Sequence, residues 1–179
     1  GKQISRSQIG NNVMCFSNAP LSASEAFSSP VSPPPFMVGM AEVEIDKETG
    51  VLELIDYVAV VDCGTVINPN LARVQVEGGI AQGIGMALYE DVVYNEKGKN
   101  FSNSLMQYKI PTRLDVGTIR VEFESSYEPT GPFGAKSIGE IVINTPSPAI
   151  SNAIQNATGV IIRELPMTAE KIYRGISGR

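Results

Sequence analysis

The sequence predicts an α+β fold: two layers, a mixed sheet with an N-terminal β-hairpin, and helices packed on one face. Three observations predict it. The run from Phe36 to Val61 reads as two strand-like segments around Asp46-Lys47-Glu48-Thr49-Gly50, whose turn chemistry makes an antiparallel hairpin. The stretch Leu71 to Tyr89 places Leu71, Val74, Gly78, Ala81, Gly85 and Leu88 on one stripe at helical spacing. Thr118 to Glu124 alternates, with Ile119, Val121 and Phe123 on one side and Arg120, Glu122 and Glu124 on the other. Strands and helices thus interleave unevenly around a hairpin, a pattern of α+β rather than doubly wound α/β folds.

Taken in order, residues 1–35 are dense in Ser, Asn and Pro, as in Ser28-Ser29-Pro30-Val31-Ser32-Pro33-Pro34-Pro35. Proline removes backbone donors and favours extended geometry, so this segment reads as an extended arm or connection with at most a short helix around Ala23 to Phe27. Residues 36–179 carry the folded portion. After the hairpin, Asn68 or Asn70 is placed to cap a helix over 70–88. That helix contains Gly78, Gly79, Gly83 and Gly85, each costing up to about 1 kcal/mol against alanine in a helix interior. Such a cluster calls for close approach of another backbone or a bulky ligand. A short strand is expected at Asp91–Tyr94. A loop follows from Glu128 to Glu140, and then a helix opening near Asn144-Thr145-Pro146 and closed by Gly159. Val160–Ile162 reads as another short strand, and Thr168 caps a last helix through Tyr173. The hairpin and strand 118–124 are expected in one sheet, with helices 70–88 and 145–157 packed on it.

Composition removes whole classes of chemistry. The 179 residues include no histidine, so no Ser-His-Asp or Cys-His relay and no His-ligated zinc can be built within the chain. Two cysteines, Cys15 and Cys63, cannot form a Cys₄ zinc or iron–sulfur site. A balance of 14 basic to 19 acidic residues, net −5, opposes electrostatic nucleic-acid binding. No apolar run reaches the roughly 18 residues of a membrane span, and residues 1–6 contain no signal-peptide h-region. A reducing cytoplasm is the compartment expected for so few cysteines. The first residue is not methionine, which processing or excision from a longer polypeptide would explain.

Familiar phosphate motifs fail. Gln82-Gly83-Ile84-Gly85 lacks the third glycine of a dinucleotide fingerprint and sits inside a helix pattern, and no Gly-Lys-Ser/Thr occurs. Three features remain. Gln75 and Gln82 lie about two helical turns apart on the glycine-bearing helix, where an amide that donates and accepts suits an anionic or heteroaromatic cofactor. A helix–helix contact is the plainer reading of the pair. Glu140 follows Gly139 just ahead of a helix, as a general base on a glycine-flanked loop or as a carboxylate complementing the helix dipole. Cys63, in Asp62-Cys63-Gly64, reads as structural, with no basic neighbour in sequence to lower its pKa.

Together these runs resemble a known family. Gln75-Val76-Glu77-Gly78-Gly79-Ile80-Ala81-Gln82-Gly83 is similar to a motif of the molybdopterin-binding large subunit of the xanthine dehydrogenase/aldehyde oxidase family of molybdenum hydroxylases. Val60-Val61-Asp62-Cys63-Gly64-Thr65-Val66-Ile67-Asn68-Pro69 resembles the loop preceding that motif, and Gly134-Ala135-Lys136-Ser137-Ile138-Gly139-Glu140 resembles the active-site loop. The resemblance runs in order from about Met37 to about Ile176 and is weak over residues 1–35. Glu140-Ile141-Val142 with Asn144-Thr145-Pro146 looks closer to the branch containing selenium-dependent xanthine dehydrogenases.

The resemblance implies that Glu140 is the catalytic base and that Gln75 contacts the pterin. The cofactor is a molybdenum-bearing molybdopterin, in a dinucleotide form, with no metal ligand from this chain. Iron–sulfur clusters and FAD are implied on other domains or subunits. The reaction hydroxylates a purine-type N-heterocycle or an aldehyde carbon with oxygen from water, and the glycine-faced helix lets the pterin approach its backbone. The chain resembles only the C-terminal part of a much longer large subunit, so its partners are the rest of that subunit and the redox subunits. Activity is expected only in the complete subunit; the alternative is a non-catalytic scaffold or assembly piece that binds no cofactor alone. Apolar residues such as Phe133, Ile138 and Met86 are expected to be exposed and to promote self-association.

Overall fold

A computed structural model describes residues 3–17 and 22–178. The chain divides into two units, 1–30 and 31–179. In the first, helix α1 (Arg6–Ser17) starts with a reciprocal cap: the Gln8 amide donates to Ser5 Oγ at 3.2 Å, and Ser5 N–H donates to Gln8 Oε1 at 2.9 Å. The helix of this region therefore stands at 6–17, whereas residues 23–27, where a short helix was expected, have no regular structure. Ser5-x-x-Gln8 is the capping signature that the Ser/Pro-rich reading passed over.

The second unit is built on a three-stranded sheet in the order β1-β2-β3. Strand β1 (Phe36–Ile45) pairs antiparallel with β2 (Leu52–Asp62) as the hairpin, and β2 pairs parallel with β3 (Thr118–Phe123). The sheet is thus mixed, and the parallel pair has its connection through helix α2 (Pro69–Leu88). On β2, Tyr57, Ala59 and Val61 are buried on one face. Leu54 joins them because the pairing shifts between Glu42↔Asp56 and Val43↔Leu54, leaving Ile55 without an opposite residue. A bulge of this kind changes which alternate residues point inward, and here it keeps both ends of the strand facing the core.

Helices cover that face. Val76, Ile80, Ile84 and Ala87 of α2 are buried with Ile150 and Ile154 of α4 (Pro146–Thr158) and Ile172 of α5 (Ala169–Ser177). Caps follow the sequence: Asn68, not Asn70, accepts from Leu71 N–H at 3.1 Å, Gly159 closes α4 with φ 77°, and Thr168 accepts from Lys171 N–H at 3.4 Å. A short helix, α3 (Ile141–Asn144), precedes α4 and was not anticipated. Two expected strands are not formed. Asp91–Tyr94 contributes an isolated bridge, Tyr94↔Asn100, and Val160–Ile162 has no strand pairing. Both are short runs rich in β-branched residues, and propensity alone does not make a strand. Among the described residues no helix is long and apolar enough to cross a membrane.

Candidate functional site

The stripe that marked α2 as a helix is only partly its core face: Gly85 and Leu88 are buried and Ala81 packs on the core, but its N-terminal members do not. Leu71 and Val74 are 67% and 66% exposed, while the core takes the stripe Val76, Ile80, Ile84 and Ala87. Leu71, Val74, Gln75, Gly78 and Gln82 instead line a groove of about 630 Å³. The helix is apolar on two sides because it serves two surfaces, one packed and one open.

Glu140 forms the opposite lip of the same groove, with Gly139. The structure thus brings Gln75, Gln82 and Glu140 to one cavity. Glu140 is exposed and stands at the N-cap of α3, yet its side chain makes no capping hydrogen bond. That geometry weakens the purely structural reading: α3 runs only over Ile141–Asn144, and a dipole contribution depends on a first turn worth complementing.

The α2 glycines divide by environment, between the two uses expected of them, close approach of another element and space for a ligand. A Cβ on Gly79 would strike the Val142 side chain, and one on Gly83 would meet Pro146 and the Ile143 carbonyl. One on Gly85 would strike the Glu90 carboxylate. These three let α3, α4 and the following turn press against α2. Gly78 alone of the four has nothing within 4 Å, as does Gly139 across the groove. Only those two keep backbone open toward a ligand.

The Glu140 loop is anchored on both sides. Upstream, Lys136 Nζ donates to Asp62 Oδ2 at 2.5 Å, the Lys136 amide donates to the Cys63 carbonyl at 2.7 Å, and the Thr65 amide donates to the Gly134 carbonyl at 2.7 Å. Gly64 takes φ 67° at this crossing, and a Cβ there would strike the Gly134 carbonyl. Asp62 Oδ1 also accepts from Ser126 Oγ at 2.5 Å and Gly64 N–H at 3.0 Å. Downstream, Val142 seats on Gly79, and Tyr57 Oη, which is buried, donates to Thr145 Oγ1 at 2.8 Å. Sequence reasoning missed Asp62, Lys136 and Tyr57. Asp62 and Lys136 both lay in the runs singled out, but nothing local pairs residues that far apart in the chain.

Lys136 also corrects the account of Cys63, which does have a basic neighbour in space. Burial nevertheless dominates and pushes the thiol pKa up, so Cys63 remains structural. It lines a second groove of about 560 Å³ with Lys136 and Ile138, which meets the first at Leu71, Gln75 and Gly139.

Residues 2–117 match the profile of the molybdopterin cofactor-binding domain. The chain belongs to this family. The family match takes in the N-terminal segment, which the motif resemblance had left weak, and stops short of Glu140. Relatives reach further. The xanthine dehydrogenase molybdenum-binding subunit of Escherichia coli O157:H7 is 35% identical over 154 residues, 86% of this chain and 20% of its own length. A contiguous stretch of that share necessarily includes both Gln75 and Glu140. The aldehyde oxidoreductase of Megalodesulfovibrio gigas is 36% identical over 78% of this chain and 15% of its own. The crystal structure of quinoline 2-oxidoreductase from Pseudomonas putida 86 superposes with a TM-score of 0.73 and 40% identity, covering 78% of this chain and 18% of that one. This member of the family therefore spans a fifth or less of the length of these relatives.

Proposed function

We propose that residues 36–179 form the C-terminal portion of the cofactor-binding domain of a molybdenum hydroxylase, preceded by a connection that carries α1. In the complete subunit it would oxidise a purine-type N-heterocycle or an aldehyde. The observation that carries this reading is the groove, where α2 presents Gln75 and a separate loop presents Glu140. Relatives named for xanthine, quinoline and aldehyde support the substrate class.

The groove fits a pterin. Gln75 and Gln82 offer amides that donate and accept along one wall, and Gly78 and Gly139 leave space that a Cβ would fill. Among the described residues no group of three or more His, Cys, Asp or Glu is placed to hold a metal ion. A metal beside Glu140 would accordingly arrive held by an organic cofactor. When bound, the molybdenum of that cofactor would accept the electrons removed from the substrate, to be passed to iron–sulfur and FAD groups on partner domains or subunits. This chain's own part is to orient and to move a proton. Gln75 would fix the pterin by its amide, and Glu140 Oε would take the proton of the attacking water-derived oxygen at about 2.6–3.2 Å.

Glu140→Gln in the complete enzyme tests the assignment, since it keeps size and an acceptor but removes basicity. Turnover should fall by about 10²–10⁴-fold with pterin and molybdenum content unchanged. A loss of only about 0.3–1 kcal/mol of stability with activity retained would assign Glu140 to the helix terminus instead.

A further inference from the structure

We propose that the Asp62–Lys136 ion pair is a positioning device that aims Glu140 into the groove, an inference that rests on Glu140 being the general base. Because the Glu140 side chain has no capping partner of its own, its direction is set by the backbone on either side. Downstream that backbone is packed through Val142 and Thr145. Upstream Ile138 packs half-buried on the core, and the nearest residue held by hydrogen bonds is Lys136, whose side chain is 8% exposed and whose Nζ lies 2.5 Å from Asp62 Oδ2.

The pair is built for geometry. Asp62 stands at the end of β2 and receives Lys136 on one oxygen and Ser126 with the Gly64 amide on the other, so its carboxylate is held on both sides. Lys136 is held in turn at its amide by the Cys63 carbonyl and at its ammonium, 5.2 Å from the centroid of the Phe36 ring. Stability alone does not require an ion pair here, since an apolar pair of similar volume would often hold as well. Two charges do fix one register, because any slip leaves both unpaired. Misplacing a catalytic group by about 1 Å can cost on the order of 10² in rate.

The test uses the complete enzyme with Asp62→Asn, Lys136→Met and the double variant, which leaves no orphaned charge should either single variant fail to fold. In cofactor-free protein, amide hydrogen exchange at Thr65 and Lys136 should accelerate by about tenfold or more as their bonds to Gly134 and Cys63 loosen. In the loaded enzyme, kcat should fall by roughly 10- to 100-fold while KM and pterin content stay within about twofold. Unchanged exchange overturns the proposal, as does faster exchange with unchanged kcat, or a fall in kcat fully matched by lost pterin. Glu140→Gln run in parallel separates the two readings. If it is inactive while the Asp62 and Lys136 variants keep their kcat, positioning alone fails. If it is active, the general-base assignment fails and takes the positioning role with it.

Discussion

Asp62 accepts from Lys136, Ser126 and the Gly64 amide, and these donors together hold its carboxyl down at about 2. In the unfolded chain the same group titrates near 3.9. The folded state therefore favours the ionised form, and its contribution to stability is fully present above about pH 4. It is lost as pH falls through about 2. Asp62→Asn should flatten the acid limb of a stability-against-pH curve in that window; an unchanged limb would mean that other carboxylates set it. The two thiols supply a second residue-scale prediction. Cys15 is exposed and Cys63 buried, with burial pushing the Cys63 thiol up. At neutral pH in native protein, a thiol reagent should label Cys15 rapidly and Cys63 only on unfolding, as read by mass spectrometry.

Helix α2 carries the element-scale argument, because its glycines are not equivalent. Gly79→Ala and Gly83→Ala would press a methyl into Val142 and Pro146, and each should cost about 1–3 kcal/mol in thermal or denaturant unfolding of the cofactor-free protein. Gly78→Ala meets nothing within 4 Å and should stabilise the helix by up to about 1 kcal/mol. The same methyl narrows the groove, so pterin content should drop as stability rises. Equal effects at the three positions would show that helix propensity alone governs them.

At the scale of the second unit, one end of the sheet face away from the helices is apolar and open, the rest of that face carrying charged residues such as Glu42, Glu44, Arg120 and Glu122. Phe36, Val38 and Met40 of β1 are 62%, 64% and 57% exposed, and Val60 of β2 lies beside Val38 in the register. Phe133 and Met86, named from the sequence, are also exposed, whereas Ile138 is half-buried. Contiguous apolar surface of this kind promotes association. The purified chain should sediment with concentration-dependent self-association, and Met40→Lys with Val60→Lys should shift it toward monomer. A strict monomer at high concentration would refute this.

Local signals settled what is local. The hairpin, the Asn68, Gly159 and Thr168 caps, the alternation of β3, the helical spacing of α2 and the opening and closing signals of α4 were all legible, because each is written within a few residues. The sequence also singled out Gln75 and Glu140, which the fold brings to one groove. What the chain could not show by itself is which face of α2 meets the core, since that helix is apolar on two sides and periodicity does not say which surface is covered. Nor could it show that three α2 glycines serve packing while Gly78 stays open. The Ile55 bulge, the Tyr57–Thr145 bond and the Asp62–Lys136 pair likewise belong to the tertiary structure. Each joins segments distant in sequence, and only the folded backbone brings their groups within hydrogen-bonding range or sets which alternate residues turn inward.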